Sequence, residues 1–351
     1  MGMTPTILHV DGGRRWGGGQ NQVRLLMRAL AERGVAQLCL CPEGSALAQR
    51  LREAELPCTT VPWRRGLSMR AALAIFEAAK ATSLIHTHDA HSLQLAIPAA
   101  AVLRRPLVAA RRMTLPTRAS KWNRAARVVA ISASVADALR ASGVREAKIR
   151  LIPSAVDAAE VQALPPLDPP LRERLRIPPD AFLAGTIGAL VALKGQALIP
   201  EAAALSAADV HWVIIGEGEA RALIERTVMQ YGGQGRVHLP GALPDARRAL
   251  RELDAFVFTS ERDALGTSIL DAMASDIPVI AAAGPGPAEV LQEVHEATGS
   301  ALYPPGDAAA LAALVQRVRE NGALRERMIA AQRRRLESFG IERNAAATLA
   351  L

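Results

Sequence analysis

Aromatic residues and cysteines are scarce in this chain of 351 residues. Aromatic side chains make up 3% of it, and its cysteines are Cys39, Cys41 and Cys58. Three cysteines without a CxxC pair argue against a disulfide framework and against a zinc module, so we expect free, buried thiols. Few aromatics, with none interleaved among the arginines, argue against a nucleic-acid-binding protein.

Long apolar runs are also missing. No segment approaches the roughly 18 apolar residues of a membrane-spanning helix, and Met1–Leu8 lacks the charged start and apolar middle of a signal peptide. We therefore expect a cytoplasmic protein. Because domains usually hold about 100 to 200 residues, the length predicts two domains.

The basic residues are concentrated in the first half of the chain. Residues 1–165 hold 23 Lys+Arg against 11 Asp+Glu, a net charge of +12, whereas residues 166–351 carry −4. A basic half favours an anionic partner, such as a phosphorylated substrate or an acidic membrane surface. The alternative is an Arg-rich surface that is merely solvated.

Short runs of Val, Ile and Leu alternate with longer amphipathic segments along both halves. The strand-like runs are PTILHV, AQLCLC, SLIHTH, PLVAA and RVVAI, then FLAGTIGAL, VHWVIIG, RVHLPG, AFVFTS and IPVIAAA. The alternation predicts an α/β protein with two doubly wound, Rossmann-like domains. A Pro-rich segment at 164–170 predicts a hinge, which sets the expected domains at 1–165 and 171–335, with 336–351 as a C-terminal helix packing back toward the first domain.

A glycine-rich loop follows the first predicted strand. Gly17 and Gly18 lie in GGRRWGGGQNQV, ahead of a helix whose N-terminal amides could bind a phosphate. The loop does not match GxGxxG with its acidic partner residue, so a flexible turn explains it equally well.

The second half places a lysine and two carboxylates near predicted strand ends. Lys194 follows the strand in GTIGALVALKGQAL and is the only lysine after residue 165, at a position suited to neutralising a diphosphate. A surface lysine is the alternative. Asp263 and Asp271 stand eight residues apart in DALGTSILDAMA, where carboxylates can bind sugar hydroxyls; Asp271 could instead complement the helix dipole.

DALGTSILDAMA resembles the motif of Glu, seven residues, Glu found in retaining GT-B glycosyltransferases of family 4, with Asp263 and Asp271 on its acidic positions. GGGQNQV is similar to that family's GGAERV and RLIPSAVD to its VIPNGVD, and GPGPAEVL and LYPPGD match as well. The resemblance covers almost the whole chain and favours the lipopolysaccharide-core type. It implies a GT-B fold, in which two Rossmann-like domains face a central cleft and bind acceptor and donor respectively.

The resemblance also implies roles for individual residues. Asp271 would hold the ribose, Asp263 the hydroxyls of the donor sugar, and Lys194 the diphosphate. No metal and no cofactor are then required besides the nucleotide-sugar donor, for which a UDP-sugar is preferred over a GDP- or ADP-sugar. The remaining implied donor-binding residues are Gly17, Gly18, Gly188, Gly216, Glu217, His238, Gly266, Thr267 and Ser268.

Three positions depart from the family pattern. Ala189 replaces the Arg of GRL, both motif acids are Asp, and Arg112 stands where relatives carry a His. Arg111 and Arg112 suit an anionic acceptor, and His88 or Asp89 could contact its hydroxyl, so the implied catalytic residues are Lys194, Asp263, His88 and Arg112.

HTHDAH, which contains His86 and His88, has a spacing compatible with a metal. We do not favour one, because no other ligand clusters nearby in the sequence.

A further set of basic residues could contact an acidic membrane, with two tryptophans at the interface, or these arginines could be solvated. The set comprises Arg64, Arg65, Arg70, Arg104 and Arg105, with Trp63 and Trp122.

The sequence therefore predicts a retaining, metal-independent glycosyltransferase that is cytoplasmic, with a peripheral position on the inner face of the plasma membrane as one option. Its partners would be a nucleotide sugar and an anionic glycolipid or lipopolysaccharide-core-like acceptor, with no nucleic acid. A nucleotide-sugar epimerase of the same fold and a non-catalytic nucleotide-sugar-binding protein are the alternatives.

Overall fold

The computed structural model describes residues 6–63 and 66–351, so the predicted membrane contacts of Arg64 and Arg65 lie outside the described residues. The chain divides into two compact units. The first comprises the described part of Met1–Ala155 together with Ile341–Leu351, and the second comprises Val156–Gly340. The division falls ten residues before the expected boundary at 165, and the Pro-rich segment 164–170 lies within the second unit.

The first unit contains a parallel sheet which, among the described residues, has seven strands in the order β3-β2-β1-β4-β5-β6-β7. Its strands are β1 (Thr6–Val10), β2 (Ala36–Pro42), β3 (Cys58–Val61), β4 (Leu84–Thr87), β5 (Leu107–Arg111), β6 (Arg127–Ala130) and β7 (Ile149–Leu151). Its helices are α1 (Gly18–Glu32), α2 (Ala46–Glu53), α3 (Met69–Lys80), α4 (Ala90–Val102), α5 (Ala119–Trp122) and α6 (Ala133–Ala141), and the last helix of the chain, Ile341–Leu349, also belongs here.

The register between β1 and β4 determines which side chains meet in the first unit. His9 on β1 pairs with His86 on β4. Since alternate residues of a strand share a face, Ile7 and His9 point to one side of the sheet. Ile7 packs there against Leu26 of α1 and Ile341 of the last helix. The two histidines are therefore set between the sheet and its helices.

Two polar side chains of the first unit lie at helix starts and cap them. Asp89 caps α4, where its carboxylate accepts hydrogen bonds from the amides of His91 and Ser92 and the Ser92 hydroxyl completes a capping box. Ser132 caps α6 by accepting from the Val135 amide. Capping satisfies amides that a helix start leaves unpaired, which fixes these residues at the carboxyl ends of their strands.

The second unit repeats this architecture with six strands among the described residues, in the order β10-β9-β8-β11-β12-β13, all parallel. The strands are β8 (Phe182–Ile187), β9 (Val210–Ile215), β10 (Val237–Gly241), β11 (Ala255–Phe258), β12 (Val279–Ala282) and β13 (Leu302–Tyr303). The helices are α7 (Ala158–Ala163), α8 (Leu171–Leu175), α9 (Ile199–Leu205), α10 (Arg221–Gln230), α11 (Thr267–Ala274), α12 (Pro285–Thr298), α13 (Ala308–Glu320) and α14 (Gly322–Leu336). The last helix of the chain, Ile341–Leu349, is numbered α15. The two parallel sheets confirm the predicted pair of doubly wound α/β domains.

Apolar packing holds the second unit together. Trp212 of β9 and Tyr303 of β13 are buried in one cluster with Ile280 of β12 and Leu311 of α13. Strands covered on both faces must be apolar throughout, which is why β9 is buried along its whole length. The segment Ala246–Glu252 forms 3-10 turns.

The two tryptophans expected at a membrane interface are inside the first unit, so that prediction is wrong. Trp63 and Trp122 are 2% and 0% exposed. Their indole N–H groups donate to the Gly66 carbonyl at 3.1 Å and the Thr117 hydroxyl at 2.8 Å, which satisfies the polar edge of each buried ring. All three cysteines are free, as predicted, and Cys39 and Cys41 are buried, but Cys58 is only half-buried. Within residues 6–63 and 66–351, no helix has the length and apolar character needed to cross a membrane.

Candidate active site

The second unit brings Lys194 to the carboxyl end of its sheet. Lys194 ends a short 3-10 turn after β8, and the Thr259 hydroxyl, just past β11, donates to the Lys194 carbonyl at 2.7 Å. Gly195 has φ +67°, and a Cβ there would lie 2.6 Å from the Thr259 carbonyl oxygen. Only glycine permits this close approach, so the end of β11 fixes the lysine loop.

Lys194 and Asp263, predicted from separate motifs, meet in the structure. The Lys194 Nζ forms an ion pair with Asp263 Oδ2, and the ammonium lies 5.5 Å from the centre of the Phe258 ring. The two side chains are 29% and 21% exposed, so both retain access to solvent. A cation and a carboxylate side by side can bind phosphate and sugar hydroxyls respectively.

Helix α11 starts next to this ion pair. Gly266 precedes it with φ +88°, and a Cβ there would lie 2.9 Å from Ile269 Cδ1, so the turn requires glycine. Thr267 and Ser268 form the first turn of α11, are half-buried, and have the amides that a helix start leaves without intrahelical acceptors. Asp271 is half-buried one turn further along.

Arg247 is a residue near Asp271 that the sequence did not single out. Its guanidinium bonds Asp245 at 3.0 Å and Glu160 at 2.9 Å. Burial alone would lower the pKa of Arg247, but Asp245, Glu160 and the charge of Asp271 together raise it above its usual value. Arg247 is therefore a cation beside Asp271 that is already bonded to two carboxylates. The sequence around Arg247, DARRALRE, has no local pattern that predicts these contacts.

The glycines predicted on the donor side have a packing role. Gly216 has φ +150°, and a Cβ on it would lie 1.9 Å from the Gly188 carbonyl oxygen. The Gly188 amide donates to the Ile215 carbonyl at 3.0 Å, so the loops that follow β8 and β9 are held together. A Cβ on Gly188 would meet nothing closer than Gln196 Nε2 at 3.8 Å, which leaves space above this loop. A ligand role for these glycines stays a prediction.

Glu217 and His238, predicted to line the base, have protein partners. Glu217 is exposed and bonds Arg221 at 2.7 Å. The rings of His238 and His211 stack at 5.4 Å, with His211 Nδ1 3.1 Å from His238 Nε2. Burial, helped by His211, lowers the pKa of His238 to about 4, so the imidazole is neutral at pH 7.

The first unit gathers three histidines, which corrects the expectation that no other ligand clusters near HTHDAH. His9 joins His86 and His88, with ring centres 4.3 to 5.5 Å apart. His9 Nδ1 lies 3.0 Å from His88 Nε2. Burial lowers the pKa of His9 to about 4, and it also lowers the pKa values of His86 and His88 well below the usual range. The cluster is neutral at pH 7.

The glycine-rich loop is bonded to two carboxylates. The Gly12 amide donates to Asp89 at 2.6 Å and the Gly13 amide donates to Asp11 at 2.8 Å. Burial and the charge of Asp89 raise the pKa of Asp11 to about 6. Gly17 is the N-cap of α1 and Gly18 its first residue, so both predicted glycines lie in the first unit, whereas Lys194 lies in the second.

Arg112, Asp89 and His88, all predicted on the acceptor side, are neighbours in the first unit. Arg112 Nη2 lies 3.5 Å from His88 Nδ1. Burial lowers the pKa of Arg112 to about 10 against the opposing charges of Asp11 and Asp89, so it is cationic at pH 7. Arg111 is different: it is buried, packs over the Trp122 ring at 5.4 Å and donates to the Leu115 carbonyl, which stabilises its own loop.

Sequence models of two protein families match the chain. Residues 16–160 match Glycosyltransferase Family 4, and residues 168–335 match Glycosyl transferases group 1. The first range falls mainly in the first unit, and the second range falls in the second unit. Each half of the chain is therefore similar to one of these two families.

Curated relatives match parts of the chain. It is 32% identical to the lipopolysaccharide core biosynthesis glycosyltransferase LpsD of Rhizobium meliloti over 47% of each protein. It is 27% identical to LpsE of the same organism over 61% of this chain and 59% of LpsE. A 2-deoxystreptamine glucosyltransferase of Streptomyces kanamyceticus is 29% identical over 70% of this chain and 64% of that protein. The aligned regions thus span about half to two thirds of these relatives.

Solved structures share the whole fold. Anabaena HepE in complex with UDP superimposes with a TM-score of 0.85 at 21% identity, covering 98% of this chain and 99% of HepE. WaaG, a glycosyltransferase involved in lipopolysaccharide biosynthesis, has a TM-score of 0.70 at 13% identity, covering 98% and 99%. These similarities confirm the GT-B fold class that the sequence predicted.

Proposed function

Because the two halves of the chain match sequence models of Glycosyltransferase Family 4 and Glycosyl transferases group 1 within a GT-B fold, we propose that it transfers a sugar from a nucleoside-diphosphate donor to an acceptor. The observation that carries this proposal is the pairing of Lys194 with Asp263 beside the start of α11. The pairing puts a phosphate-binding cation next to a carboxylate suited to sugar hydroxyls.

The donor binds to the second unit in this proposal. The ion pair between Lys194 and Asp263 breaks, and Lys194 pairs with the diphosphate instead. The diphosphate also accepts hydrogen bonds from the first amides of α11, where the helix dipole favours an anion. Asp263 is then released to bind hydroxyls of the donor sugar, and Asp271 holds the ribose. The complexes of HepE with UDP and UDP-glucose support a UDP-sugar as the donor.

The leaving group determines which residues matter for the rate. Glycosyl transfer builds positive charge on the sugar ring and negative charge on the departing diphosphate. Lys194 and the α11 amides stabilise that negative charge, so the step proceeds without a metal ion in the donor site. Retention of the anomeric configuration is part of the proposal and rests on the DALGTSILDAMA motif. The anomeric coupling constant of the product, measured by NMR, tests retention.

The acceptor binds to the first unit and is an anionic glycolipid or a lipopolysaccharide-core-like saccharide. Arg112 supplies a cation beside Asp89 and His88, which can hydrogen-bond an acceptor hydroxyl. The charge of +12 over residues 1–165 supports an anionic molecule. The similarity to LpsD and LpsE, both lipopolysaccharide core biosynthesis glycosyltransferases, supports a saccharide of that class.

Peripheral attachment to an acidic membrane completes the proposal. Around the start of α3, Leu67, Met69 and Leu73 are 71%, 76% and 60% exposed, and Arg70 beside them is exposed as well. Apolar side chains next to a cation are what an anionic lipid surface binds. This patch replaces Trp63 and Trp122 as the proposed contact, on the cytoplasmic side of the membrane.

Thermal unfolding with a panel of UDP-, GDP- and ADP-sugars tests the donor proposal. A ligand at 100 times its Kd adds about 2.7 kcal/mol of stability, so a rise in Tm with one base identifies the donor. Asp271→Asn serves as the matched variant and should show a clearly smaller rise at the same ligand concentration. If no nucleotide sugar raises the Tm of the folded protein, the proposed donor site is wrong.

A further inference from the structure

The cluster of His9, His86 and His88 contains two imidazoles, those of His9 and His86, to which the proposed transfer gives no role. All three side chains are buried, at 0%, 4% and 2% exposure. They come from two neighbouring strands, because His9 on β1 pairs with His86 on β4 and His88 follows two residues later on the same face. The fold thus brings His9 to two imidazoles that lie 77 and 79 positions later in the sequence.

We propose that His9, His86 and His88 form a binding site for a divalent transition-metal ion, with Zn²⁺ as the preferred occupant. One ring nitrogen from each histidine lies within 4.8 Å of those of the other two. Two of these nitrogens, His9 Nδ1 and His88 Nε2, are already 3.0 Å apart. Tetrahedral Zn²⁺ with Zn–N bonds of about 2.1 Å needs its nitrogens about 3.4 Å apart, so small rotations of the rings suffice.

Unsatisfied ring nitrogens point to the same ligand. Among the described residues, His9 Nε2 and His86 Nε2 are buried and have no hydrogen-bond partner. A buried polar group left unpaired costs about 1–3 kcal/mol, so the unpaired His86 Nε2 leaves the cluster incomplete as a purely structural core. Imidazole nitrogen is one of the commonest protein ligands of Zn²⁺.

A second group is placed to orient His9. The Gln37 side chain interacts with the His9 ring, and its Nε2 donates to the Met27 carbonyl, which fixes the carboxamide. Gln37 Oε1 is itself buried without a partner among the described residues. When His9 binds a metal through Nδ1, its Nε2–H can donate to Gln37 Oε1, the kind of outer hydrogen bond that metal-binding histidines usually have.

The positive charge of Arg112 disfavours a metal ion at the three histidines, and this supplies a test. Its charge lies close to the cluster, and its Nη2 is 3.5 Å from His88 Nδ1. Coordination through His88 Nε2 puts the hydrogen on Nδ1, so Arg112 must turn away, toward the carboxylates of Asp11 and Asp89 that attract it. Removing the guanidinium should therefore tighten metal binding. Three protein ligands leave a fourth position for water or an anion.

The experiment uses the full chain without an affinity tag, stripped with a chelator and titrated with Co²⁺ while the visible absorption is followed. We expect one Co²⁺ per chain, displaced by Zn²⁺. His86→Gln and His88→Gln should each weaken binding by at least about tenfold, and Arg112→Met should strengthen it. Exposed His91→Gln and, in the second unit, His238→Gln are the matched controls and should bind as the unmodified chain does.

Thermal unfolding without metal shows whether each variant folds. If His86→Gln does not fold, the number of Co²⁺ ions bound per unmodified chain and the metal affinity of Arg112→Met still decide whether the site exists. Absence of Co²⁺ and Zn²⁺ uptake by the folded, unmodified chain would overturn the metal site. So would an equal loss of binding in His91→Gln or His238→Gln. Neither readout depends on sugar transfer, so this inference and the proposed function fail separately.

Discussion

Replacing Lys194 with methionine removes the ammonium that pairs with Asp263 and keeps a side chain of similar length. In the proposed reaction this ammonium stabilises charge that develops on the leaving diphosphate. Loss of one such electrostatic contact usually lowers the rate by about 10²- to 10³-fold, or about 2.7–4 kcal/mol. We therefore expect kcat/KM of Lys194→Met to fall by that factor.

The same substitution should have little effect on folding stability. The Lys194–Asp263 pair is 29% and 21% exposed, and partly exposed ion pairs contribute about 0–1 kcal/mol. The loop itself is held through the backbone, because the Thr259 hydroxyl donates to the carbonyl of residue 194, which methionine retains. A large catalytic effect with a small change in Tm separates a catalytic role from a structural one.

Initial rates with the donor that the thermal panel identifies measure kcat/KM, and calorimetry measures Tm. Lys80→Met is the matched control, since Lys80 is an exposed lysine of the first unit that pairs with Glu77; it should change neither quantity. Unchanged kcat/KM in Lys194→Met at unchanged Tm would refute the argument. A large drop in Tm with a proportionate loss of activity would make Lys194 structural.

Three further predictions concern the second unit. Asp271→Asn should weaken free nucleoside diphosphate and nucleotide sugar by the same factor, about tenfold or more, in calorimetric titration; weakening of the nucleotide sugar alone would contradict the ribose role. Gly216→Ala should lower stability by about 2–3 kcal/mol, because its Cβ would lie 1.9 Å from the Gly188 carbonyl oxygen, whereas Gly188→Ala should barely change Tm; equal Tm values would be incompatible with this packing. The pKa of His238 is lowered to about 4 from 6.5, so the unfolded chain binds more protons between these values and stability should fall as pH drops from 6.5 to 4; His238→Asn should reduce that fall in thermal unfolding, and an unchanged slope would show that His238 does not contribute.

Periodicity predicted the architecture because strands buried on both faces must be continuously apolar. The two doubly wound domains followed from this. The shorter strands β3, β7 and β13 were missed, since two to four residues carry too little pattern to distinguish a strand from a loop. The Pro-rich segment predicted a hinge from local stiffness, yet Arg248 donates to the carbonyls of Pro165 and Pro166 and ties it to the second unit.

The candidate site was predictable where its residues lie in contiguous motifs. Lys194 and Asp263 each follow a strand end, and neighbouring parallel strands bring such ends together. His9 and Arg247 were missed, because their partners depend on the register of β1 against β4 and on a distant turn. The burial of Trp63 and Trp122 was missed for a related reason: tertiary contacts, which no local pattern records, satisfy their indole groups.

The measurement that tests the central claim most directly is mass spectrometry of the reaction between the identified nucleotide sugar and a panel of lipopolysaccharide-core acceptors. The account predicts that nucleoside diphosphate and glycosylated acceptor appear in equal amounts, and that neither appears without acceptor. Donor consumed without any acceptor would indicate an epimerase instead. Donor bound but never consumed with any acceptor would mean that this GT-B protein binds nucleotide sugars without transferring them.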